Sequence, residues 1–174
     1  REMKNAGYDK ETDSITPDQT MVEFDVSALQ AKLDALTPGE ALTFPVTIEL
    51  PTVTTEELEQ LLFRDVLGEY ETAHTGNRAR TTNIRLACAA INGLVLDVGE
   101  TFDFNGVVGE RTAAKGYMEA DAYSDGLTVS ARGGGICQVS STLYYATLLS
   151  DLEIVTRRSH SLPSSYMPMM GIDA

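Results

Sequence analysis

Apolar residues recur at the spacing of a helix face in several parts of the chain, and this pattern predicts helices there. Leu29, Leu33 and Leu36 define one such face, which follows a polar cap. Thr54 with Glu57 has the spacing of a capping box at the start of another helix. On these signals the sequence predicts four helices, between residues 25 and 38, 54 and 68, 82 and 93, and 136 and 149.

Shorter runs of β-branched, aromatic and apolar residues separate these helices and predict strands. The clearest is a hairpin over residues 120–131, with Asp125-Gly126 at its tip. The first 20 residues are polar and lack periodicity, so we predict a loop. The mixture of elements predicts an α+β fold. In this fold a glycine-rich loop leads into a helix that starts at the cysteine and packs on a small, mostly antiparallel sheet. Further predicted strands lie at residues 21–24, 41–51, 94–105 and 153–157.

Acidic residues dominate the charge of the chain. Its 174 residues include 26 acidic and 13 basic ones, which gives a formal charge of −13. Phosphate binding needs clustered Lys and Arg, so this charge argues against nucleic acid as a partner and against an anionic membrane surface. No apolar run approaches the roughly 20 residues of a membrane-spanning helix. The sequence does not open with Met, which indicates a piece of a longer protein.

Two cysteines, Cys88 and Cys137, are too few for a disulfide framework, and no Cys and His spacing matches a zinc site. We therefore predict no metal and no organic cofactor. Cys88 lies among leucine and alanine residues on a predicted apolar helix, which indicates a packing role. Cys137 instead follows three consecutive glycines at the start of the last predicted helix, in the stretch GGGICQVSSTLYYATLLS.

A thiol at a helix start is a candidate nucleophile. The unpaired N–H groups of the first turn stabilise a thiolate and can hold the oxygen of a tetrahedral intermediate. We predict Cys137 as the nucleophile and His160 as its base. His74 lies in a polar link and is predicted to be a solvated loop residue. The candidates for orienting the imidazole or completing an oxyanion site are Gln138, Asn105 and Asp173.

A second group of residues is predicted to bind a ligand. Arginine matches a carboxylate bidentately, tyrosine rings can stack on sugars, and bare glycine backbone lets a ligand approach amide donors. The alternative roles are structural: ion pairs for the arginines, packing for the tyrosines and a turn for the glycines. The candidates are Arg85, Arg111, Gly133, Gly134, Gly135, Ser141, Tyr144, Tyr117 and Tyr166, of which Ser141 and Tyr144 share the helix face of Cys137.

Two long stretches resemble the VanW family, which is named after an accessory gene product of vancomycin-resistance clusters. They are NIRLACAAINGLVLDVGETFDFNGVVGERTAAKGY and GGGICQVSSTLYYATLLSDLEIVTRRSHSLPSSYMP. The resemblance divides the chain into residues 77–174, a VanW-like domain, residues 1–53, the C-terminal part of a peptidoglycan-binding-like domain, and residues 54–76, a helix and linker. It implies an extracellular, cell-envelope location in a Gram-positive bacterium. It also implies a membrane-anchored parent protein, of which this fragment is expected to be soluble.

Three functions are compatible with these residues. The first is a Cys-dependent peptidase, amidase or transpeptidase-like acyltransferase that acts on peptidoglycan or its precursors through Cys137 and His160. The second is a non-catalytic module that binds the glycan or stem peptide of peptidoglycan. The third is a structural domain in which Cys137 is buried. The exposure of the Cys137 sulfur and its distance from His160 discriminate the structural domain from the other two.

Overall fold

The computed structural model describes residues 2–124, 127–160 and 164–174. The chain forms two compact units, Arg1–Asp65 and Val66–Ala174. Both contain helices and short antiparallel strands, which confirms the α+β class. The predicted domains at 1–53, 54–76 and 77–174 concern domain identity and stay a prediction. None of the helices in the described residues has the length and apolar character needed to cross a lipid bilayer.

The N-terminal unit contains two small antiparallel sheets and two helices. The predicted loop over the first 20 residues is wrong, because Gly7 pairs with Thr16 and Asp9 with Ser14 in a hairpin. Asp9 stabilises the turn by accepting a hydrogen bond from the backbone N–H of Glu11 at 2.9 Å. The elements are β1 Gly7–Asp9, β2 Ser14–Thr16, β3 Met21–Glu23, α1 Val26–Asp34, β4 Thr47–Glu49 and α2 Thr55–Leu61, with β1 paired to β2 and β3 to β4.

The capping box predicted for α2 is confirmed. Thr54 and Glu57 each accept a hydrogen bond from the other's backbone N–H. The helix nevertheless ends at Leu61 rather than at the predicted glycine. Phe63 adopts a φ of 53°, which a right-handed helix does not contain, and its ring packs edge-on against Tyr8 with 5.3 Å between centroids. A contact distant in sequence therefore sets the end of α2.

The C-terminal unit contains three helices and one hairpin among its described residues. The predicted hairpin is confirmed, although its tip at Asp125-Gly126 lies outside those residues. The strands predicted over 94–105 and 153–157 are wrong. In the first stretch Asp103 accepts the N–H of Asn105 at 3.0 Å and so caps a short helix. The elements are α3 Arg78–Ile91, α4 Phe104–Val108, β5 Glu119–Ser124, β6 Leu127–Arg132 and α5 Ile136–Leu149.

Helix α3 begins earlier than the predicted start at Thr82 or Asn83. Asn77 is its N-cap, and the Asn77 side chain accepts the N–H of Arg80 at 3.1 Å. The polar stretch ETAHTGNRARTT is therefore a link only in its first half. Its second half forms the first turn and lacks apolar periodicity, so the hydrophobic pattern did not include it.

The core of this unit lies where α3, α4 and α5 meet. Cys88, which we predicted to pack, is exposed. It follows the fully buried Ala87 by one residue, and one residue turns the side chain by about 100° around the helix axis. The packing prediction for Cys88 is therefore wrong. The buried core residues are Ala87, Val108, Tyr117, Ile136 and Val139.

Candidate functional site

A buried asparagine holds the glycine-rich loop in front of α5. Asn83 is 0% exposed, and its amide nitrogen donates to the carbonyls of Met118 at 2.9 Å and Gly134 at 3.0 Å. Its amide oxygen accepts the N–H of Met118 at 2.8 Å. A side chain at Gly134 would collide with the backbone of Ala120 and Asp121 on β5. The middle glycine therefore lets the loop approach the hairpin, which is a packing role.

The flanking glycines, Gly133 and Gly135, have positive φ angles of 83° and 99°, which L residues rarely adopt. We predicted that the amides of this loop would be available to a carboxylate or an oxyanion. The structure corrects this expectation for four amides of the loop and first turn, which already donate to backbone carbonyls. These bonds run from Gly133 to Met118 at 3.0 Å, Gly134 to Ala131 at 3.1 Å, Ile136 to Gly133 at 3.2 Å and Gln138 to Gly135 at 3.1 Å.

An open cleft of about 430 Å³ lies beside the start of α5. Its walls come from the link before α3, the hairpin, the first turn of α5 and the C-terminal tail. Cys137 is exposed and lines this cleft, as does Tyr166 of the tail. His74 is exposed, in accord with the prediction, but it also lines the cleft. We had not assigned it to the site.

Opposing influences act on the thiol of Cys137. Although the residue is exposed at the cleft, neighbouring protein atoms partly desolvate its sulfur, which raises the thiol pKa above the ordinary value of 9.0. The backbone N–H of Cys137 and the charges of Arg111 and Arg80 act to lower the pKa, whereas Asp173 acts to raise it. Desolvation outweighs the opposing influences, so the pKa of the thiol is raised rather than lowered.

The arginine that lines the cleft is Arg80, which we had not singled out. Its Nη2 donates to Oε1 of Gln138 at 2.9 Å. The Gln138 side chain is buried, and its Nε2 donates to Oγ1 of Thr72 and to the carbonyl of Ala73, both at 3.0 Å. Gln138 is therefore a fixed support for the guanidinium, and its amide is not directed at the imidazole.

The spacing of α3 contained a signal for this arginine. Arg80, Asn83 and Ala87 are separated by three and four residues, so they share one face of a helix. The signal was lost because the predicted helix started after residue 80. Arg85, which we predicted to bind a ligand, points away from that face, is exposed and does not line the cleft.

His160 and Asp173 form a partly buried pair. The carboxylate Oδ2 of Asp173 accepts the backbone N–H of His160 at 2.8 Å and also bonds the ring Nδ1. Burial acts to raise the pKa of Asp173, but these bonds and the charge of the ring together outweigh it, and the pKa is lowered. Arg157 donates to the backbone carbonyl of Asp173 at 2.9 Å. Of the three candidates for orienting the imidazole, Asp173 is the one in contact with it.

Asn105, another of those candidates, bonds an arginine instead. The Nη2 of Arg111 donates to its Oδ1 at 2.6 Å. Gly133 lies close to this arginine, since a Cβ there would come within 3.1 Å of the Arg111 Cβ. Arg111 therefore lies beside the glycine-rich loop, and its charge acts on Cys137.

Three other predicted ligand-binding residues contact the protein's own core or its own segments. Tyr117 is 4% exposed within the core, so its ring is not a surface for sugar stacking. Ser141 is also buried, and its hydroxyl donates to the carbonyl of Ala174 at 3.0 Å. Tyr144 packs under the guanidinium of Arg157, with 5.1 Å from the ring centroid to Cζ. Both residues contact the chain's own segments. Ser141 is fully buried, which corrects its predicted ligand role, whereas Tyr144 is half-buried and its ligand role stays a prediction.

Tyr166 is the tyrosine that remains at the cleft. Burial raises the pKa of its hydroxyl; hydrogen bonds with Ser164 and Ser141 act to lower this pKa, and Cys137 and Asp173 act to raise it. Among the residues that the structure describes, no three His, Cys, Asp or Glu side chains form a metal-binding cluster.

Comparison with known proteins assigns the family. Residues 79–174, more than half of the chain, match the family model described as VanW like protein. The chain therefore belongs to the VanW family, as the resemblance predicted.

Two curated relatives are similar to the chain. One is "Uncharacterized protein YoaR" of Bacillus subtilis, 37% identical over 161 residues, which are 89% of this chain and 52% of YoaR. The other is "Vancomycin B-type resistance protein VanW" of Enterococcus faecalis, 31% identical over 96 residues, which are 53% of this chain and 35% of that protein. The chain thus spans about half or less of the length of these relatives. No solved structure matches it significantly.

Proposed function

We propose that this protein is a cell-envelope thiol enzyme that cleaves or transfers an acyl group at an amide bond of peptidoglycan or its precursors. One observation carries the proposal. Cys137 is exposed on a cleft of the C-terminal unit, and in the same unit Asp173, whose charge acts on Cys137, fixes the ring of His160. His160 itself is not among the residues that line this cleft. The extracellular setting and the membrane-anchored parent rest on the family resemblance and on the name of one relative, which refers to vancomycin resistance.

The proposed reaction has two steps. First, the thiol of Cys137 gives its proton to Nε2 of His160, and the sulfur attacks the amide carbonyl carbon. The C–N bond breaks, the imidazolium returns the proton to the leaving amine, and the acyl group stays on sulfur as a thioester. Water or the amino group of a second peptide then attacks the thioester and restores the thiol.

Asp173 would act as a positioning residue in this reaction. Its bond to Nδ1 fixes the ring orientation and, when Nδ1 carries the proton, leaves Nε2 as the acceptor. The raised pKa of the thiol is compatible with the scheme, because a general base removes the proton when the substrate is bound. The scheme thus needs no thiolate before substrate binds.

The second candidate function is a module that binds peptidoglycan without reaction. Two observations favour it: the pKa of the Cys137 thiol is raised, and four amides of the loop and first turn donate to the chain's own carbonyls. In this case Arg80 and Tyr166 would contact the ligand, and Cys137 would only form part of the cleft wall.

The two candidates separate in an assay on purified muropeptides. Products are followed by mass spectrometry, and the Cys137→Ala variant is compared with Cys88→Ala, which removes the other exposed thiol. The enzyme hypothesis expects turnover that Cys137→Ala abolishes and Cys88→Ala retains. An acyl adduct on Cys137 would support the thioester. Equal binding by wild type and Cys137→Ala, with no product from either, would establish the binding module.

The two histidines provide a matched test of the base. His160→Gln removes the predicted base, and His74→Gln removes the histidine that lines the cleft. We expect His160→Gln to lower kcat by at least about 100-fold, the usual contribution of a general base. Loss of turnover in His74→Gln, with turnover retained in His160→Gln, would show that His74 rather than His160 is the base. Circular dichroism of each variant checks that it is folded.

A further inference from the structure

The cleft contains a cation with a fixed orientation. The guanidinium of Arg80 bonds Gln138, whose amide is held on its other side by two further hydrogen bonds. The backbone of Gly135 lies against the Arg80 side chain, because a Cβ there would come within 2.7 Å of its Cγ. A long, flexible side chain is thus restrained from two directions. A preorganised guanidinium loses less entropy when it binds a planar anion.

This cation has no anionic partner in the part of the chain that the structure describes. No carboxylate there lies within 4.0 Å of the Arg80 guanidinium. The chain has 26 acidic residues against 13 basic ones, so acidic partners are abundant. Among the described residues, the one side-chain acceptor of Arg80 is Oε1 of Gln138, which is neutral and engages one nitrogen. A guanidinium has five N–H donors, so others are available to a ligand.

From these contacts we infer that Arg80 binds a ligand carboxylate in the cleft beside Cys137. This inference deepens the proposed function, on which the identity of the ligand rests. The ligand class is a peptide that carries a free carboxylate close to the amide bond presented to the sulfur. Arg80 selects such peptides over their amidated forms, and Gln138 is a positioning residue that aims the guanidinium.

The charges around the cleft give the ligand an orientation. Asp121 on β5 also lines the cleft and would repel an anion at the hairpin wall. Arg80 carries a positive charge and lies on a different wall, formed by α3 and the start of α5. The carboxylate therefore lies toward the helices. A second carboxylate near the hairpin would weaken binding.

The test measures binding in the Cys137→Ala background, so that it does not depend on any reaction. The probes are a disaccharide-tetrapeptide muropeptide and the same molecule with its C-terminal carboxylate amidated, titrated by calorimetry. We expect the carboxylate form to bind at least 10-fold more tightly. Arg80→Gln should weaken binding of the carboxylate form to the level of the amide and leave the amide unchanged.

Arg85→Gln is the matched control, because it removes the same charge from an exposed position of the same helix. We expect its affinities to stay within 2-fold of the parent. Equal affinity of the parent for both probes would overturn the inference, as would a folded Arg80→Gln that keeps the preference. If Arg80→Gln does not fold, Arg80→Lys, which keeps the charge but not the bidentate geometry, should retain only part of the preference.

The outcomes distinguish this inference from the proposed function. Preference for the carboxylate without turnover by the wild type would support the carboxylate site and reject the enzyme. Turnover by the wild type without any preference would support the enzyme and reject the carboxylate site.

Discussion

Asp173 holds His160 at two points with one carboxylate oxygen, which accepts the backbone N–H of His160 at 2.8 Å and bonds its ring Nδ1. The two residues are 13 positions apart, so the pair ties the tail to the segment that follows α5. The carboxylate is 4% exposed in its side chain and the imidazole 14%. A buried charged acceptor in this position contributes to the stability of the tail and fixes the ring.

The first prediction concerns the pH dependence of stability. The pKa of Asp173 is lower in the folded chain than its ordinary 3.8, so its contribution is present above about pH 4 and is lost as pH falls through the folded value. At pH 6, Asp173→Asn should reduce the free energy of unfolding by about 1.5–3 kcal/mol, the usual value for a hydrogen bond to a charged group. Urea unfolding followed by circular dichroism measures this difference.

The difference between wild type and Asp173→Asn should shrink below pH 4, because the wild-type carboxyl then becomes neutral as well. Glu153→Gln, at an exposed position of the same unit, is the control and should change stability by less than about 0.5 kcal/mol. A loss in Asp173→Asn that is the same at pH 3 and pH 6 would show that the charge of Asp173 is not responsible.

The second prediction concerns the middle glycine of the loop. A Cβ at Gly134 would meet two backbone carbonyls, which no change of rotamer can move away. We expect Gly134→Ala to cost about 3 kcal/mol or more. Gly99→Ala is the comparison, because Gly99 has a φ of +86° and an added Cβ there would meet no atom within 4 Å. It should cost only about 1–2 kcal/mol, the strain of the left-handed backbone.

Urea unfolding measures the free energy of unfolding of both variants. Gly134→Ala reports the cost of the collision, and Gly99→Ala reports the cost of backbone strain alone. If Gly134→Ala unfolds at the same urea concentration as the wild type, the loop and β5 do not approach as closely as the structure shows.

Local signals in the sequence predicted the elements whose ends are set locally. The hairpin and the start of α5 after Gly135 follow from turn chemistry and hydrophobic runs. The end of α2 could not be predicted from local signals, because the Phe63 ring packs against Tyr8, which is more than 50 positions away. Helix α3 was placed late for a different reason: its first turn is polar, and Asn77 as a cap was overlooked.

The site was predicted only in part. Two features could be predicted from residue type and order: the position of Cys137 at a helix start and the pairing of His160 with a carboxylate. The positions of Arg80 and His74 depend on how the link before α3 folds back onto α5, which no local pattern contains. The raised pKa of the thiol depends on how many atoms surround the sulfur, and this too arises only from tertiary packing.

The last prediction concerns the charge beside the thiol. Arg111 acts to lower the pKa of Cys137, and its removal should raise that pKa further above 9.0. In a Cys88→Ser background, Arg111→Gln should therefore slow alkylation of Cys137 by iodoacetamide at pH 8, and the rate profile should move to higher pH. Arg85→Gln, which removes an exposed arginine away from the cleft, should leave the profile unchanged. A shift of equal size in both variants would reflect the net charge of the chain and would refute a local effect of Arg111 on the sulfur.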